Sequence, residues 1–337
     1  MPETPIITVI LCTRNREGVI SNALASLVRQ DFREAWELIV VDNGSTDQTV
    51  NVVKDFSKIL PIKVVYEPEA GKSRALNRGL DAARGDLIAF TDDDVILAPC
   101  WLSALVSASR CHPDATVFCG PILPAFPSNT PHWMPLSIVG HLAFARFTPH
   151  KYDGFLQYPN LPFGPNTAVR TKEATGTRFR LDLGPSSDGP FMCEDSDFVI
   201  RLYESGKRVF YVAAANVCHL VRPEMITRDY QFERAFHFGR SAVKMNRRLY
   251  CFSLGTYNVP YPERDAFEFG VKLNAMYGQL YQFIEGGDAL LARIVLAAIC
   301  GMAWDGRQSY LGRTTKDWLL NHPKYVPPIP ARKRVWP

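Results

Sequence analysis

The stretch LIAFTDDD, residues 87–94, decides the fold, because a mostly apolar run leads directly into three aspartates. A short apolar run without charged residues is typical of a strand buried on both faces of a parallel sheet. Alternate residues of an extended segment face the same way, so Asp92 and Asp94 are expected to share one target. Two such carboxylates favour a hard cation between them, Mg²⁺ or Mn²⁺, although a solvated acidic turn is the alternative for an isolated triplet.

Three similar apolar runs precede this one, and helical patterns separate them. The runs are residues 6–12, 36–41 and 62–66, and the amphipathic stretches are residues 17–30, 47–56 and 73–83. Strands that alternate with helices predict βαβ units, so we expect an α/β chain with a mixed, mainly parallel sheet flanked by helices. In such sheets, ligands bind beyond the carboxyl ends of the strands.

Polar residues follow the first two apolar runs, where each strand should end. Thr13, Arg14 and Asn15 follow the first run, and Asp42 follows the second. Because parallel strands end at the same edge of a sheet, we expect these residues to line one site together with residues 92–94. Asp42 can accept a hydrogen bond from a base or a ribose hydroxyl, or it can simply initiate the turn that follows it.

A basic loop opens the third helical pattern, in the segment EAGKSRALNRG, residues 69–79. Lys72 and Arg74 lie near the start of this helix, where unpaired backbone N–H groups also stabilise anions. The loop is therefore expected to bind an anion such as a phosphate. The segment lacks the GxxxxGK[ST] pattern, which argues against a P-loop NTPase.

Length and composition are those of an ordinary globular protein. The 337 residues carry 38 basic and 34 acidic side chains, a net charge of +4, and 47% of them are hydrophobic. These values argue against a disordered or collagen-like chain, and the charge is too small to indicate nucleic-acid binding. Eight cysteines without a CxxC pair predict free thiols in a reducing compartment, not disulfides or a zinc ribbon.

Neither a signal peptide nor a membrane span is expected from the sequence. The N-terminal MPETP lacks a basic region followed by an apolar one. The longest apolar run, residues 289–304, contains Arg293 and is shorter than the roughly 20 residues of a spanning helix. We therefore expect a cytoplasmic protein, with peripheral contact at the inner face of the membrane as an alternative location.

The second half of the chain has a different composition. Residues 121–165 are rich in proline and aromatic residues, among them Trp133, which predicts a folded, ligand-facing connection with little regular structure. For Trp133, hydrophobic packing and a platform for a sugar ring remain equal alternatives. A helix is expected at residues 194–205, a strand at residues 209–212, and mostly helical structure beyond residue 222.

Five segments and one histidine, in this order, resemble the inverting glycosyltransferases of family 2, which bind nucleotide sugars on a GT-A fold. They are TVILCTRNR (8–16), LIVVDNGSTDQT (38–49), GKSRALNRGLDAARGDLIAFTDDDV (71–95), GPNTAVR (164–170), CEDSDFVIRLYESGKRVFYV (193–212) and His219. The resemblance covers residues 6–220. It implies a GT-A domain over residues 1–222, with a nucleotide-binding part (1–120) and an acceptor part (121–222). A mostly helical C-terminal extension, residues 223–337, follows.

The resemblance implies a donor site at the ends of the first, second and fourth strands. The residues that would hold the nucleoside and its phosphates are Thr13, Arg14, Asn15, Asp42, Lys72, Arg74, Asp92 and Asp93. Asp94 would ligate Mn²⁺ or Mg²⁺ directly, and His219 would complete the metal shell. Without the resemblance, His219 is more simply interpreted as a buried core histidine. The chain departs from the family at Glu69 and Leu76, where Asn and Arg are common.

The resemblance also implies an acceptor side. Asp195 would be the general base, with Glu194 beside it, and Asn166 and Trp133 would meet the sugar or the acceptor. Without the resemblance, Glu194, Asp195 and Asp197 are better explained by the preference of acidic residues for the first turn of a helix than by catalysis.

The implied activity is the transfer of one sugar from a nucleotide sugar, preferably a UDP-sugar, to an acceptor hydroxyl with inversion. The acceptor would be a sugar, a lipid-linked saccharide or a small molecule. The chain lacks the QxxRW motif of processive synthases, since Gln231-Phe-Glu-Arg-Ala has no tryptophan. The C-terminal extension would cap the acceptor site or form a homodimer.

Two other functions remain as alternatives. A nucleotidyltransferase on a similar scaffold would need a glycine-rich segment after the first strand, which CTRNREG supplies poorly. A non-catalytic relative that binds sugar nucleotides is disfavoured because the DDD and ED motifs are both intact.

Overall fold

The computed structural model describes residues 4–131, 146–158 and 160–245. Trp133, residues 246–337 of the C-terminal extension and the apolar run within them lie outside the described residues. In the part of the chain that is described, no helix combines the length and the apolar character that a membrane span requires.

Thirteen short strands are found in the described ranges. In chain order they are β1 (Ile7–Thr13), β2 (Trp36–Asp42), β3 (Ile62–Tyr66), β4 (Leu87–Thr91), β5 (Val95–Leu97), β6 (Ala115–Cys119), β7 (Ile122–Ala125), β8 (Gly154–Leu156), β9 (Thr167–Arg170), β10 (Pro185–Ser186), β11 (Gly189–Pro190), β12 (Arg208–Tyr211) and β13 (Val217–Leu220). Eight of them form the main sheet, in the order β3-β2-β1-β4-β9-β6-β12-β8. Only β9 and β8 run antiparallel to their neighbours there, so the expected mixed, mainly parallel sheet is confirmed.

Seven α-helices connect or follow these strands in the same ranges. They are α1 (Ile20–Val28), α2 (Thr49–Phe56), α3 (Lys72–Ala82), α4 (Trp101–Cys111), α5 (Thr171–Thr177), α6 (Glu194–Glu204) and α7 (Arg228–Met245). A 3₁₀ turn at Pro223–Ile226 leads into α7, so the described start of the C-terminal extension is helical, as expected.

The order of the main sheet reverses at β1. The chain places β2 and then β3 on one side of β1, and afterwards adds β4 on the other side. Such a reversal leaves a crevice beyond the carboxyl ends of the two central strands. Thr13 lies opposite Asp42, and Leu11 lies opposite Thr91, so the residues that follow β1, β2 and β4 all emerge at this crevice.

The core lies along the central strands of this sheet. β1, β2 and β4 are buried along nearly their whole length, whereas the edge strand β3 exposes Val64 and Tyr66. Helix α3 packs closely on β1 because Gly79 has no side chain. A Cβ at Gly79 would lie 2.6 Å from Cγ2 of Ile10. This packing fixes the start of α3 next to the crevice.

Two smaller sheets complete the site. β13 pairs antiparallel with β5 and parallel with β7, which brings the chain after β4 next to residue 219. β10 and β11 form a short antiparallel hairpin just before α6.

The first helix starts later in the structure than the sequence predicts. The helix expected at residues 17–30 begins only at Ile20. Glu17 instead joins the loop after β2, because its N–H donates to Asp47 and its carboxylate accepts from the N–H of Gln48. The loops after β1 and β2 are therefore held to each other.

Candidate active site

Asp93 ties the loop after β1 to the loop after β4. The hydroxyl of Thr13 donates to Oδ2 of Asp93 at 2.8 Å, and Nε of Arg16 lies 3.4 Å from Oδ1. Asp93 is 7% exposed. Burial, together with the charge of Asp94, raises the pKa of Asp93 to about 7, although Arg16 and Thr13 oppose this. Asp93 thus faces into the protein and braces the loop predicted to hold the nucleoside.

The loops after β1 and β2 are joined by a second set of contacts. Asn15 has a left-handed backbone (φ 52°), which Asn tolerates better than most residues. Its side-chain oxygen accepts from the N–H of Thr46 at 2.8 Å, and its N–H donates to the hydroxyl of Ser45 at 3.0 Å. Oδ1 of Asp42 accepts the N–H of Ser45 at 3.1 Å. Asn15 and Asp42 therefore form one wall of the crevice, and the exposed Arg14 directly precedes Asn15 in the sequence.

Asn43 anchors the basic loop that precedes α3. Its amide donates to the carbonyls of Glu67 (3.0 Å) and Glu69 (2.8 Å), and its oxygen accepts the N–H of Gly71 at 2.8 Å. Sequence reasoning missed this role, because an Asn-Gly pair after a strand predicts only a turn. Arg74, in the first turn of α3, pairs with Glu69 at 2.9 Å, so the helix is also held to the loop that precedes it.

Lys72 lies between the DDD motif and the ED motif. Its Nζ is 2.9 Å from Oδ1 of Asp92 and 3.4 Å from Oε1 of Glu194. Burial by itself would lower the pKa of Lys72, but the charges of Asp92, Glu194 and Asp195 raise it well above its usual range. The lysine is therefore a fixed cation among three carboxylates.

Glu194 and Asp195 begin α6 and differ in their surroundings. Glu194 is 4% exposed, and burial raises its pKa to about 7, with the charge of Lys72 opposing and that of Asp195 adding to the rise. Asp195 is half-buried. Its Oδ2 accepts the N–H of Gly164, and its Oδ1 accepts the N–H of Ser196 at 2.7 Å. These backbone donors orient the Asp195 carboxylate from two sides.

Asp197 belongs to a different part of the structure. It is fully buried and pairs with Arg201 at 2.7 Å and with Arg180 at 3.4 Å. Arg180 also donates to the carbonyls of Lys244 and Met245 at the end of α7. Of the three acids at the start of α6, Asp197 therefore holds α6 to α7, which leaves Glu194 and Asp195 on the side of Lys72.

Asp94 and His219 are brought together by the small sheet. His219 pairs with Val95 across β5 and β13, and the N–H of Leu220 donates to the carbonyl of Asp94 at 2.8 Å. Nε2 of His219 lies 3.6 Å from Oδ1 of Asp94. The other ring nitrogen, Nδ1, is buried and has no hydrogen-bond partner among the described residues.

This pair fits a divalent ion that substrate phosphates also bind. A carboxylate oxygen and an imidazole nitrogen suit Mn²⁺, and Mg²⁺ in nucleotide sites is commonly held by one or two carboxylates plus phosphate oxygens and water. No group of three or more His, Cys, Asp or Glu side chains suited to a metal occurs within the described ranges. Among the described residues, Asp94 and His219 would supply two ligands to such an ion.

Comparison with known proteins supports the resemblance. A model of the family described as "Glycosyl transferase family 2" matches residues 8–179, which is 172 of the 337 residues. The chain belongs to glycosyl transferase family 2. The match ends before α6, so the ED pair and His219 lie beyond it.

Some curated relatives are similar over most of their own length. Glucosyl-dolichyl phosphate glucuronosyltransferase of Haloferax volcanii is 25% identical over 256 residues, which cover 71% of this chain and 77% of that protein. Several other curated glycosyltransferases match over about a third or less of their own length.

Two solved structures show the same fold. S. aureus TarS in complex with UDP-GlcNAc has a TM-score of 0.53 at 17% identity, covering 94% of this chain and 92% of that one. The mannosyltransferase PcManGT from Pyrobaculum calidifontis, in complex with GDP-Man and Mn²⁺, has a TM-score of 0.52 at 20% identity, covering 96% and 84%. The GT-A fold expected for a family 2 glycosyltransferase is thereby confirmed.

In this family 2 glycosyltransferase, Asn166 has an interior position. The resemblance predicts that Asn166 meets the sugar or the acceptor, whereas its side chain is completely buried. Its oxygen accepts from Nε1 of Trp101 at 2.8 Å, and its amide donates to the carbonyls of Pro121 (3.0 Å) and Ala215 (2.7 Å). Asn166 therefore joins α4 to the chain segments after β6 and β12, and it shapes the site from inside.

The structure brings most predicted site residues to one crevice. The donor-side loops, Lys72, the metal-binding candidates and the ED pair converge there, and Asn166 supports them from the core. Trp133 lies outside the described residues. Sequence reasoning missed Arg16 and Gly164, because Arg16 is one of several basic residues and Gly164 acts through its backbone N–H.

Proposed function

We propose that this glycosyltransferase transfers a single sugar from a nucleotide sugar to an acceptor hydroxyl with inversion at the anomeric carbon. One observation carries the proposal. Asp92 after β4 and Glu194 at the start of α6 are far apart in the sequence, yet both contact the ammonium group of Lys72. The donor-side carboxylates and the ED pair therefore face one crevice, as a transfer between two bound substrates requires.

The donor is proposed to be a nucleoside diphosphate sugar, with UDP as the favoured nucleotide. In support, TarS was solved with UDP-GlcNAc and PcManGT with GDP-Man. Thr13, Arg14, Asn15 and Asp42 would surround the nucleoside, since they line the crevice beyond β1 and β2. Arg74 lies at the edge of this region, where it can approach phosphate oxygens.

Asp94 and His219 are proposed to hold Mn²⁺ or Mg²⁺. PcManGT was solved with Mn²⁺, which supports a divalent ion on this fold. When bound, the ion would neutralise the negative charge that develops on the departing diphosphate. Asp92 is engaged by Lys72 and would lie nearer to the ribose.

Asp195 is proposed to be the general base. An acceptor hydroxyl is a weak nucleophile at neutral pH, so a positioned carboxylate must accept its proton during attack. Asp195 is half-buried and is oriented by the N–H groups of Gly164 and Ser196. Glu194 is deeply buried beside it and is proposed to support the acceptor side.

The acceptor is proposed to be a sugar hydroxyl, with a lipid-linked saccharide as the favoured carrier. The relative from Haloferax volcanii is named for glucosyl-dolichyl phosphate, a sugar on a lipid phosphate. Peripheral contact with a membrane would suit such an acceptor.

The test is release of nucleoside diphosphate from a donor panel in the presence of Mn²⁺, with lipid-linked and free sugar acceptors. The panel contains UDP-GlcNAc, UDP-glucose, UDP-glucuronic acid and GDP-mannose. At least one donor should be turned over, and Asp195→Asn should reduce turnover by about 10²–10⁴-fold while UDP affinity is kept. A product whose anomeric configuration is retained by NMR would contradict inversion.

Two further measurements separate the alternatives. A nucleotidyltransferase would release pyrophosphate from a nucleoside triphosphate and a sugar 1-phosphate. A non-catalytic relative would bind UDP-sugar in calorimetry without any turnover. Binding of none of the donors would contradict the proposed function itself.

A further inference from the structure

Lys72 is the physical link between the donor-side carboxylates and the helix that carries the ED pair. Its ammonium group contacts Asp92 at 2.9 Å and Glu194 at 3.4 Å, and its side chain is only 28% exposed. An ammonium group has three donors and no acceptor, so two carboxylates can be held at once. The resemblance had assigned this lysine to the nucleotide or the diphosphate.

The backbone around Lys72 reinforces this link. The hydroxyl of Ser73 donates to the carbonyl of Leu183 at 2.7 Å, and Gly71 forms a β-bridge with Ser186. A Cβ at Gly184 would lie 3.2 Å both from Oγ of Ser73 and from Cδ of Glu194, which shows how tightly these segments pack. The start of α3 is therefore docked against the segment that leads into α6.

Electrostatics explains why a lysine is needed at this junction. Asp92, Glu194 and Asp195 all act on the charge of Lys72, so the three carboxylates lie close to one another. Without a cation among them, the carboxylates would repel or one of them would take up a proton, and the contact that joins the start of α6 to the end of β4 would be lost. Arg74, the next basic residue on α3, cannot replace it in this structure, since it is paired with Glu69.

We propose that Lys72 is a positioning residue, which bridges Asp92 and Glu194 and thereby holds Asp195 at the correct place for the transfer step. The inference rests on the proposed function, and it differs from a role as a phosphate ligand. If Lys72 were a phosphate ligand, its substitution would mainly weaken the affinity for the donor. If Lys72 is a positioning residue, its substitution mainly lowers kcat, because small displacements of a reacting group strongly reduce the rate of the chemical step.

The test uses the full chain and compares Lys72→Met with Lys72→Arg. Lys72→Met should reduce kcat by about 10²-fold, while KM for the donor and the Kd for UDP with Mn²⁺ change less than about threefold. Lys72→Arg keeps the charge and should restore most of kcat. The matched control is Lys58→Met, since Lys58 is exposed and pairs with Asp55 on the surface. A rise of tenfold or more in donor KM with unchanged kcat would overturn the proposal.

A double-mutant cycle with Glu194→Gln tests the bridge itself. If Lys72 acts through Glu194, then Lys72→Met should reduce kcat by a much smaller factor in the Glu194→Gln background than in the wild type. Fully additive losses would contradict the bridge.

A second measurement does not depend on turnover. Hydrogen exchange at the start of α6 should be faster in Lys72→Met than in the wild type, and close to wild type in Lys72→Arg. If the wild type turns over no donor, the proposed function is contradicted. The hydrogen-exchange comparison still tests whether Lys72 holds the start of α6 in place. Unchanged exchange in Lys72→Met would overturn the positioning role.

Discussion

Adjacent aspartates have separate tasks in this site, where residues 92–94 form the turn between β4 and β5. Asp93 points inward and accepts from Thr13, whereas Asp92 contacts Lys72 and Asp94 lies next to His219. The expectation that Asp92 and Asp94 share one target is therefore not met, since Asp92 contacts Lys72 and Asp94 lies next to His219. These partners could not be predicted from LIAFTDDD, because each one comes from a different segment of the chain.

Asp94→Ala should abolish the contribution of Mn²⁺ to nucleotide binding. Asp94 is the carboxylate next to His219, and its removal would take away one of the two proposed ligands of the ion. The protein should remain folded, because losing a strand-end carboxylate removes one charge from an acidic cluster. Calorimetry of UDP with and without Mn²⁺ measures this, with Asp55→Ala, an exposed carboxylate, as control. If Asp94→Ala and the wild type bind UDP equally tightly in the presence of Mn²⁺, then Asp94 is not a metal ligand.

Glu194 should make the free energy of unfolding depend on pH between 5 and 8. Burial raises its folded pKa from 4.5 to about 7, so the folded state binds a proton that the unfolded state releases in this range. The contribution of Glu194 to the free energy of unfolding is therefore fully present below 4.5, the pKa of Glu194 in the unfolded state, and is lost as the pH rises through 7. From pH 5 to pH 8, the free energy of unfolding should fall by up to about 3 kcal/mol more in the wild type than in Glu194→Gln.

Urea unfolding at several pH values measures this difference. Glu34→Gln is the control, because Glu34 is exposed and its pKa is lowered by the hydrogen bond from Arg110, so it does not titrate between pH 5 and 8. Parallel curves for wild type and Glu194→Gln would show that the Glu194 carboxylate stays charged in the folded state throughout.

At the scale of elements, the first four strands were predictable and several later ones were not. β1, β2 and β4 are long apolar runs, and their predicted bounds agree to within about one residue. β9 has only four residues and follows a proline-rich stretch, so its sequence carries little periodic signal. It is a strand because it fits between β4 and β6 and pairs with both. Such tertiary pairing overrides local propensity.

Asn166→Ala should destabilise the junction of α4 with the segments after β6 and β12. The change leaves Nε1 of Trp101 and the carbonyls of Pro121 and Ala215 buried without this partner. We expect a loss of about 3 kcal/mol in the free energy of unfolding. Urea unfolding measures it, and Asn51→Ala, on the exposed face of α2, is the control. A fully stable Asn166→Ala that has lost turnover would indicate direct contact with the sugar or acceptor instead.

At the scale of the whole molecule, one topological feature gathers the site. The sheet order β3-β2-β1-β4 opens the crevice at β1 and β4, and β5 and β13 close it from the side of His219. The sequence predicts which strand ends carry polar residues, and the parallel arrangement then predicts that they meet. The approach of α6 to this crevice could not be predicted from periodicity, because it depends on the docking of β10 and β11 against α3.

UDP with Mn²⁺ should therefore protect three separate segments from hydrogen exchange at once. These are the segments that follow β1, β2 and β4, at residues 13–17, 42–48 and 92–95, since they form one continuous crevice. A ligand that binds only the folded state suppresses local opening wherever it makes contact. Helix α4, which packs against β6, should be unchanged and serves as the internal reference.

The same experiment on Asp94→Ala separates the nucleoside from the metal. Protection at residues 13–17 and 42–48 should weaken, since the diphosphate would lose its ion, and protection at residues 92–95 should disappear. If UDP protects only one of the three segments in the wild type, then the strand ends do not act as one site. The donor would in that case bind elsewhere on the molecule, whatever the effect of Asp94→Ala on turnover.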